Sequence, residues 1–239
     1  MVKPELIVVG AGPGDPELIT LKAQKALQKA DVIMYDNLAN RDLLDFSSTC
    51  TEKIYVGKQP YGDYTPQDVI HQMILEKAKT KGCVVRLKGG DPFIFGRGME
   101  EILFARYHGI PASYIPGITS MQAAGFENIP LTHRNVSESV WFVTGTKKDG
   151  SLSADLKLAM QSKATVVIYM GMKKLDEISS AYINEGNGNI SAAIIQNASL
   201  PNQKKIIGAV KDLPGLALEH HLKHPAIIII GEVVKLGFN

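Results

Sequence analysis

The amino-acid sequence predicts an α/β protein made of two α/β domains. Its 239 residues are 45% apolar and 21% charged, which is ordinary for a globular chain and sufficient for a buried core. Short apolar runs alternate with helical patterns in the first half, an order typical of a mainly parallel sheet covered by helices. A break near Pro116-Gly117 precedes a second set of strands. We therefore expect domains over residues 1–116 and 117–239, with the active-site cleft between them.

Turn and capping residues separate the predicted elements of the first half. Thr20 is a typical helix N-cap, and the helical pattern that follows it continues to Ala30. The run Thr65-Pro66-Gln67-Asp68 combines a capping residue, a first-turn proline and an acidic residue, so it predicts a second helix that continues to about residue 79. Five apolar runs predict strands over residues 6–9, 32–35, 54–56, 84–87 and 112–115.

The second half contains four further apolar runs, with helical patterns between some of them. These runs predict strands over residues 140–144, 165–169, 192–195 and 226–230. His220, His221 and His224 precede Pro225, which should end any helix that would align these histidines. We therefore interpret the three histidines as part of a solvated turn and expect no metal site.

The charge and the cysteine content argue against several classes of protein. A net charge of +2 gives no general attraction to nucleic acid, so we expect no nucleic-acid partner. Cys50 and Cys83 are too few for a disulfide framework, and the apolar residues after Cys83 predict a buried, reduced thiol. Residues 1–5 lack the apolar region of a signal peptide, and the longest apolar runs are far shorter than a membrane span. We expect a cytoplasmic protein that does not enter a membrane.

A glycine-rich turn, Gly10-Ala11-Gly12-Pro13-Gly14-Asp15, follows the first predicted strand. Glycines at the end of a strand allow the backbone to approach a ligand closely. A dinucleotide-binding turn has a similar pattern, and Asp36 stands where its ribose-binding acid would be. However, Asp15 replaces the last glycine or alanine of that pattern, and Pro13 removes a backbone donor. These two residues disfavour a nicotinamide cofactor.

Further motifs occur in a fixed order along nearly the whole chain. The most specific one is the run Val85-Arg86-Leu87-Lys88-Gly89-Gly90-Asp91-Pro92-Phe93-Ile94-Phe95-Gly96-Arg97-Gly98. The others are Tyr35-Asp36-Asn37-Leu38, Val56-Gly57-Lys58, Pro116-Gly117-Ile118-Thr119-Ser120, Ile129-Pro130-Leu131-Thr132-His133-Arg134, Val143-Thr144-Gly145 and Tyr169-Met170-Gly171. In these motifs the chain closely resembles the tetrapyrrole methylase family, and in particular its members that act on uroporphyrinogen III.

The resemblance implies two α/β domains, a homodimer, and S-adenosylmethionine bound in the cleft between the domains. The implied reaction methylates two ring carbons of uroporphyrinogen III in succession and gives precorrin-2 and S-adenosylhomocysteine. At the matching positions it implies Asp36 as the proton acceptor and Lys58 as the proton donor. The implied cofactor contacts are Pro13, Gly89, Gly90, Asp91, Ile94, Thr119, Ser120, Met170 and Ala198.

The residue types at these positions fit methyl transfer. Transfer from a sulfonium requires that donor and acceptor be positioned and that water be excluded. Gly89 and Gly90 would let the backbone lie against the cofactor, and Asp91 would accept hydrogen bonds from its ribose or ammonium group. Asp36 would take the proton that the methylated carbon loses.

The implied substrate carries many carboxylates, and the motifs contain basic residues that suit them. These are Arg86, Lys88, Arg97, His133 and Arg134. We expect Arg97 and Arg134 to bind substrate carboxylates bidentately. The alternative is that some of the basic residues pair with local acids such as Glu100 or Glu101.

Some positions depart from the pattern of the family. Asn37 stands where relatives usually have arginine, and its presence removes a carboxylate ligand. Ala198 replaces a glycine but adds only a methyl group, while Met99 and Thr146 replace a glycine and a histidine. Two alternatives remain open: a methylase of a later corrin precursor, a protein or an RNA, and a non-catalytic relative that binds a tetrapyrrole or the cofactor.

Overall fold

The computed structural model describes residues 2–57 and 65–238 of the chain. The chain divides into two compact units, Met1–Thr119 and Ser120–Asn239, whereas the sequence placed the boundary after residue 116. In its described part, each unit contains a five-stranded sheet together with helices, which confirms the predicted α/β fold class.

The sheet of unit 1 is parallel. Its strands are β1 (Glu5–Gly10), β2 (Val32–Tyr35), β3 (Glu52–Tyr55), β4 (Cys83–Lys88) and β5 (Ala112–Ile115). They lie in the order β3-β2-β4-β1-β5, and each neighbouring pair is parallel. All five predicted strands are confirmed, although β3 begins and ends slightly earlier than the apolar run suggested.

The described part of unit 1 contains three α-helices: α1 (Leu21–Lys29), α2 (Gln67–Thr80) and α3 (Gly98–Tyr107). The Thr20 hydroxyl accepts a hydrogen bond from the Ala23 N–H at 3.1 Å, which confirms the predicted N-cap of α1. The predicted cap of α2 is wrong by one residue. Pro66, whose ψ of 148° is extended, occupies the N-cap position without a side-chain hydrogen bond, so Thr65 lies one residue too early to cap.

The helices cover both faces of the parallel sheet because alternate strand residues point to opposite sides. Val85 and Leu87 share an apolar cluster with Ala23 of α1. Val84 points the other way and belongs to a second cluster, which contains apolar residues of α2 and α3 such as Ile74. Unit 1 is therefore a three-layer α/β/α arrangement.

The strand order of unit 1 defines a place where two loops diverge. β1 and β4 are neighbours, but the connection after β1 leads to β2 on one side, and the connection after β4 leads to β5 on the other. Ligands of open α/β sheets bind beyond the carboxyl ends of the strands at such a topological switch point. The glycine-rich turn and the Gly89-Gly90 loop are the two loops that diverge there.

The sheet of unit 2 is mixed. Its strands are β6 (Val140–Thr144), β7 (Thr165–Tyr169), β8 (Ser191–Gln196), β9 (Lys204–Ala209) and β10 (Ala226–Ile230), in the order β6-β7-β10-β8-β9. β6 and β7 are parallel, whereas the other neighbouring pairs are antiparallel. The sequence predicted all of these strands except β9. This edge strand begins with two exposed lysines and buries Ile206 alone among its residues, and Gly208 follows its only two isoleucines, so its apolar run is short.

Among the described residues of unit 2 there are four α-helices: α4 (Ala123–Phe126), α5 (Ala154–Met160), α6 (Leu175–Asn184) and α7 (Leu213–Glu219). The last three share one apolar cluster with one face of the sheet, and Ile129 and Val234 belong to a cluster on the other face. α7 ends at Glu219, so His221 and His224 lie beyond the helix. Over residues 2–57 and 65–238, we find no group of three or more side chains able to hold a metal ion. No helix in these ranges has the length and apolar character needed to cross a bilayer.

Candidate active site

The loops after β1 and β4 are joined directly by their backbones. The Gly90 N–H donates to the Gly12 carbonyl at 2.7 Å, and the Gly12 N–H donates to the Gly90 carbonyl at 3.3 Å. Gly90 has a φ of +65°, a left-handed conformation that favours glycine. The two loops at the switch point therefore form one connected surface.

A third loop, which follows β5, packs against this pair. A Cβ atom on Gly117 would lie 2.3 Å from the Gly90 carbonyl oxygen, and a Cβ atom on Gly10 would lie 2.4 Å from the Gly117 nitrogen. A Cβ atom on Gly89 would lie 2.4 Å from Cβ of Leu38 in the loop after β2. The packing of the protein itself thus requires these glycines, in addition to any closeness that a cofactor would need.

Asp91 connects the loop after β4 to β5 and to the loop beyond it. Its Oδ1 accepts a hydrogen bond from the Phe93 N–H at 2.8 Å. Its Oδ2 accepts one from the Tyr114 hydroxyl at 2.5 Å and another from the Gly117 N–H at 3.1 Å. Burial and the hydrogen bond to Asp91 raise the pKa of Tyr114, so the phenol remains a donor. The structure thereby gives Asp91 a loop-fixing role, while its predicted contact with the cofactor remains a prediction.

The remaining cofactor candidates of unit 1 lie on the same loops or at the end of the unit. Pro13 directly follows Gly12, and the Ile94 N–H donates to the Asp91 carbonyl at 3.2 Å. Thr119 is buried and is the last residue of unit 1. The structure thus brings most of the unit 1 candidates to the carboxyl edge of the parallel sheet.

Apolar side chains are exposed at this edge. Leu38, Phe93 and Phe95 each leave about half of their surface uncovered. The Phe93 ring stacks on Tyr114, with centroids 3.8 Å apart and planes 7° from parallel. These side chains offer a flat apolar surface beside the glycine loops.

Asp36, the predicted proton acceptor, directly follows β2 and so lies at the same edge of the sheet. Its Oδ1 accepts a hydrogen bond from the Leu38 N–H at 3.1 Å, and its Oδ2 lies 3.1 Å from Nη2 of Arg86. A carboxylate has about four lone-pair sites, so both oxygens keep acceptor capacity. Lys58, the predicted proton donor, lies outside the described residues.

Arg86 and Lys88 are buried and share one counter-charge. Arg86 Nε lies 3.3 Å from Oε1 of Glu101, and Lys88 Nζ lies 3.1 Å from the same oxygen. Burial and the nearby Arg86 charge lower the pKa of Lys88, an effect that Glu101 partly offsets. The expectation that these two bases present positive charge to an anionic substrate is wrong, because the buried Glu101 on α3 and the partly exposed Asp36 after β2 neutralise them. The alternative, pairing with a local acid, applies.

Arg97, a predicted substrate ligand, also has an acidic partner. Its Nε and Nη2 bind the two carboxylate oxygens of Glu100 at 2.9 and 2.6 Å, and this contact lowers the pKa of Glu100. Both side chains are about half exposed, unlike Arg86 and Lys88. Arg97 therefore keeps an accessible guanidinium, and its contact with a substrate remains a prediction.

Unit 2 brings three further candidates to one edge of its own sheet. Met170 follows β7, has a φ of +56° and is exposed, while its carbonyl accepts a hydrogen bond from the Thr146 hydroxyl at 3.0 Å. Ala198 follows β8, and the register with β10 places the ends of β7 and β8 at the same edge. The Met121 N–H donates to the Tyr169 hydroxyl at 3.0 Å, which holds Ser120 near this edge too. The Ala198 methyl group is buried in the core, and the predicted contact of this residue with the cofactor remains a prediction.

Arg134 is not brought together with Met170 and Ala198 within unit 2. It lies exposed on a turn closed by the bridge between His133 and Ser137. The Ser137 hydroxyl accepts a hydrogen bond from the Thr165 N–H at 3.0 Å, at the start of β7, whereas Met170 follows its end. Thr165 and Met170 are five residues apart along an extended strand, which separates the two points by about 16 Å. The predicted substrate contact of Arg134 remains a prediction.

Two further residues shape the site: Tyr114 was not singled out from the sequence, and Glu101 was named only as one possible local partner of the basic residues. Glu101 lies on the buried face of α3 together with Ile102 and Ala105, and a charge on such a face signals a buried partner. Tyr114 packs inward from β5, where its hydroxyl requires a hydrogen-bond partner. These two signals are available in the sequence once the buried faces of α3 and β5 are assigned.

Comparison with known proteins identifies the family. Residues 5–214 match the model of the tetrapyrrole (corrin/porphyrin) methylases. The structure of uroporphyrin III C-methyl transferase from Thermus thermophilus is 36% identical and has a TM-score of 0.84, with 97% of this chain and 99% of that chain covered. The same values hold for that enzyme complexed with S-adenosyl homocysteine. A cobalt precorrin-4 methyltransferase is 27% identical, with a TM-score of 0.85 and coverage of 96% and 95%.

Among curated sequences, siroheme synthase from Chromobacterium violaceum is 44% identical over 232 residues, which are 96% of this chain and 49% of that protein. The chain spans about half the length of the curated relatives it matches. The match of the family model to most of the chain, together with the identity to these relatives, establishes that this chain belongs to the tetrapyrrole methylase family, as its motifs predicted.

Proposed function

We propose that this chain is an S-adenosylmethionine-dependent C-methyltransferase that methylates uroporphyrinogen III at two ring carbons and yields precorrin-2. The observation that carries the proposal is the match of nearly the whole chain to the structure of uroporphyrin III C-methyl transferase. A solved structure of that relative as a complex with S-adenosyl homocysteine supports the choice of cofactor.

The residues at the carboxyl edge of unit 1 fit this cofactor. Gly89 and Gly90 present main chain without side chains that would block a ligand, and Pro13 lies on the neighbouring loop. The half-exposed Leu38 and Phe93 offer apolar surface for an aromatic ring. When bound, S-adenosylmethionine supplies an electrophilic methyl group on a sulfonium. The loops of the protein position it and exclude water.

Asp36 accepts the proton that the methylated ring carbon loses. Its carboxylate is partly accessible and is held at the end of β2 by hydrogen bonds from Leu38 and Arg86. A general base acts when its oxygen lies within hydrogen-bond reach of the proton that it removes. Lys58 is proposed as the proton donor on the basis of the family pattern alone.

Arg97 and Arg134 bind carboxylates of the substrate in this proposal. Arg97 is already arranged for bidentate binding, as its contact with Glu100 illustrates, and its guanidinium is accessible. Substrate carboxylates bind Arg97 beside Glu100 or in its place. Arg134 contributes an exposed guanidinium from the turn in unit 2.

Methyl transfer to uroporphyrinogen III tests the proposal. The purified chain is incubated without oxygen with uroporphyrinogen III and methyl-labelled S-adenosylmethionine, and the products are identified by mass spectrometry. We expect two labelled methyl groups per macrocycle and two molecules of S-adenosylhomocysteine. Asp36→Asn should retain affinity for S-adenosylhomocysteine but transfer methyl groups slowly, since it lacks the acceptor.

The same assay separates the alternatives. Asn37 and the similarity to cobalt precorrin-4 methyltransferase favour a later corrin precursor as the second candidate substrate. Turnover of such a precursor without turnover of uroporphyrinogen III would contradict the leading proposal. Tight binding of both ligands without methyl transfer would indicate a non-catalytic relative.

We also propose a homodimer, as the family resemblance implies. Sedimentation equilibrium should give twice the 26.0 kDa mass of the chain. The mass of a single chain at assay concentrations would contradict this part of the proposal.

A further inference from the structure

Four charged side chains form a compact cluster under the carboxyl edge of unit 1. Its members are Asp36, Arg86, Lys88 and Glu101. On β4, Arg86 and Lys88 lie on the same face of the sheet as Val84. Val85 and Leu87 lie on the opposite face. The face of β4 that carries Val84 is thus apolar near the amino end of the strand and charged near its carboxyl end.

Arg86 is the bridge within this cluster. Its Nη2 binds Asp36 at 3.1 Å, and its Nε binds Glu101 at 3.3 Å. Its Nη1 donates to the Leu87 carbonyl at 2.8 Å and to the Met34 carbonyl at 3.4 Å. All three guanidinium nitrogens therefore have partners, and a planar, buried guanidinium held in this way has little freedom to move.

Glu101 binds Arg86 on the buried side of the cluster. Its Oε1 accepts hydrogen bonds from Arg86, Lys88 and Gln67, whereas its Oε2 is buried and has no partner in the described ranges. A buried cluster of this kind contributes little to stability compared with apolar side chains of the same size. A role in orienting an accessible group gives a reason for its presence.

Exposure identifies that group. The side chains of Arg86, Lys88 and Glu101 are 3%, 8% and 0% exposed, whereas that of Asp36 is 23% exposed. Asp36 is therefore the member that faces outward, and the other three lie behind it. Its second oxygen is fixed by the Leu38 N–H, so the Arg86 contact sets the remaining orientation of the carboxylate.

We propose that Arg86 is a positioning residue for the methylation reaction, which orients the Asp36 carboxylate and is itself anchored by Glu101. The inference rests on the proposed function, because it assumes that Asp36 removes a proton from the methylated substrate. Arg86 does not touch the substrate in this proposal. It acts through the direction of the Asp36 oxygens.

Arg86→Lys tests the proposal, with Arg106→Lys as the matched control. Lysine keeps the positive charge, but its single ammonium cannot bridge the two carboxylates as the guanidinium does. Arg106 lies on the same unit and donates to the Ala112 carbonyl, away from the cluster. We expect Arg86→Lys to lower kcat by about 100-fold, the effect of a misplaced catalytic group, with the affinity for S-adenosylhomocysteine unchanged. Arg106→Lys should keep the wild-type kcat.

A double-mutant cycle separates orientation from a general structural effect. Both Arg86→Lys and Asp36→Asn are measured alone and combined, in single turnovers with labelled cofactor and excess enzyme. If Arg86 acts through Asp36, the lysine substitution lowers the rate by less than about threefold in the Asp36→Asn background. The same loss of about 100-fold in both backgrounds would overturn the proposal, as would a wild-type kcat in Arg86→Lys.

The outcomes also distinguish this inference from the proposed function. An active wild-type enzyme with additive losses in the cycle overturns the role of Arg86 alone. A wild-type enzyme that does not methylate uroporphyrinogen III overturns the proposed function, and the role of Arg86 falls with it. Should Arg86→Lys fail to fold, Arg86→Gln, which can bind only one of the two carboxylates, replaces it in the same cycle.

Discussion

The hydrogen bond from Tyr114 to Asp91 makes a measurable contribution to the stability of unit 1. Tyr114→Phe removes the donor at 2.5 Å but keeps the ring that stacks on Phe93. Asp91 then retains its hydrogen bonds from the Phe93 and Gly117 N–H groups. Since a hydrogen bond to a charged group contributes about 1.5–3 kcal/mol, we expect the free energy of unfolding to fall by about that amount.

Tyr182→Phe is the matched control in unit 2. The Tyr182 side chain is buried, and its hydroxyl has no hydrogen-bond partner among residues 2–57 and 65–238. An unsatisfied buried hydroxyl destabilises a protein by about 1–3 kcal/mol, so its removal should leave stability unchanged or raise it within that range. The two substitutions delete the same atom, and only the first removes a hydrogen bond.

Equilibrium unfolding in urea, followed by circular dichroism at neutral pH, measures both effects. Burial raises the pKa of both tyrosines above the ordinary value of about 10. A raised folded-state pKa means that the stabilisation is complete below pH 10 and is lost as the pH rises further. The wild type should therefore lose stability above pH 10 more steeply than either variant. A Tyr114→Phe variant within about 0.5 kcal/mol of the wild type, or a clearly destabilised Tyr182→Phe variant, would refute the reasoning.

Three other predictions follow from the described contacts. Gly117→Ala should lower the free energy of unfolding by about 1–3 kcal/mol in urea, because the new Cβ atom would meet backbone atoms. Gly215→Ala in α7, where a Cβ atom has open space, should instead raise it by about 0.5–1 kcal/mol. Equal effects of the two substitutions would contradict this reasoning. Arg97→Lys should leave the urea midpoint unchanged, because the ion pair of Arg97 with Glu100 is exposed. The same substitution should raise KM for uroporphyrinogen III about tenfold or more. An unchanged KM would show that Arg97 does not bind the substrate. Burial raises the pKa of the Cys83 thiol to about 11. A thiol reagent at pH 8 should therefore label the exposed Cys50 much faster than Cys83. Equal labelling rates would argue against the burial of Cys83.

Most of the strands could be predicted because their apolar character is local. Residues 32–35 and 165–169 are short runs rich in β-branched and aromatic residues, and the structure has strands with the same bounds. β9 could not be predicted in this way, because an edge strand buries few of its side chains. The start of α2 was misplaced by one residue, because the extended ψ of Pro66 decides it and the sequence does not specify that angle.

The candidate site was predictable as a set of loops but not as a set of contacts. The Gly89-Gly90-Asp91 run is contiguous, so its motif can be recognised directly. The pairing of Arg86 with Glu101 depends on which face of α3 packs on the sheet, and a count of formal charges does not contain that information. The contact of Asp91 with Tyr114 joins residues 23 positions apart and depends on the strand order.

The position of β4 in the sheet also affects the synthesis of the protein. β1 and β2 are not neighbours, because β4 lies between them and pairs with both. A nascent chain that ends before residue 83 therefore has a gap in the middle of the sheet, and its first and second strands leave unpaired edges toward each other. Domains begin to fold during synthesis, starting from the N-terminus, and unpaired edges favour aggregation at this stage. The strand that leads into the Gly89-Gly90 loop is thus also the one whose emergence from the ribosome allows β1 and β2 to join one sheet.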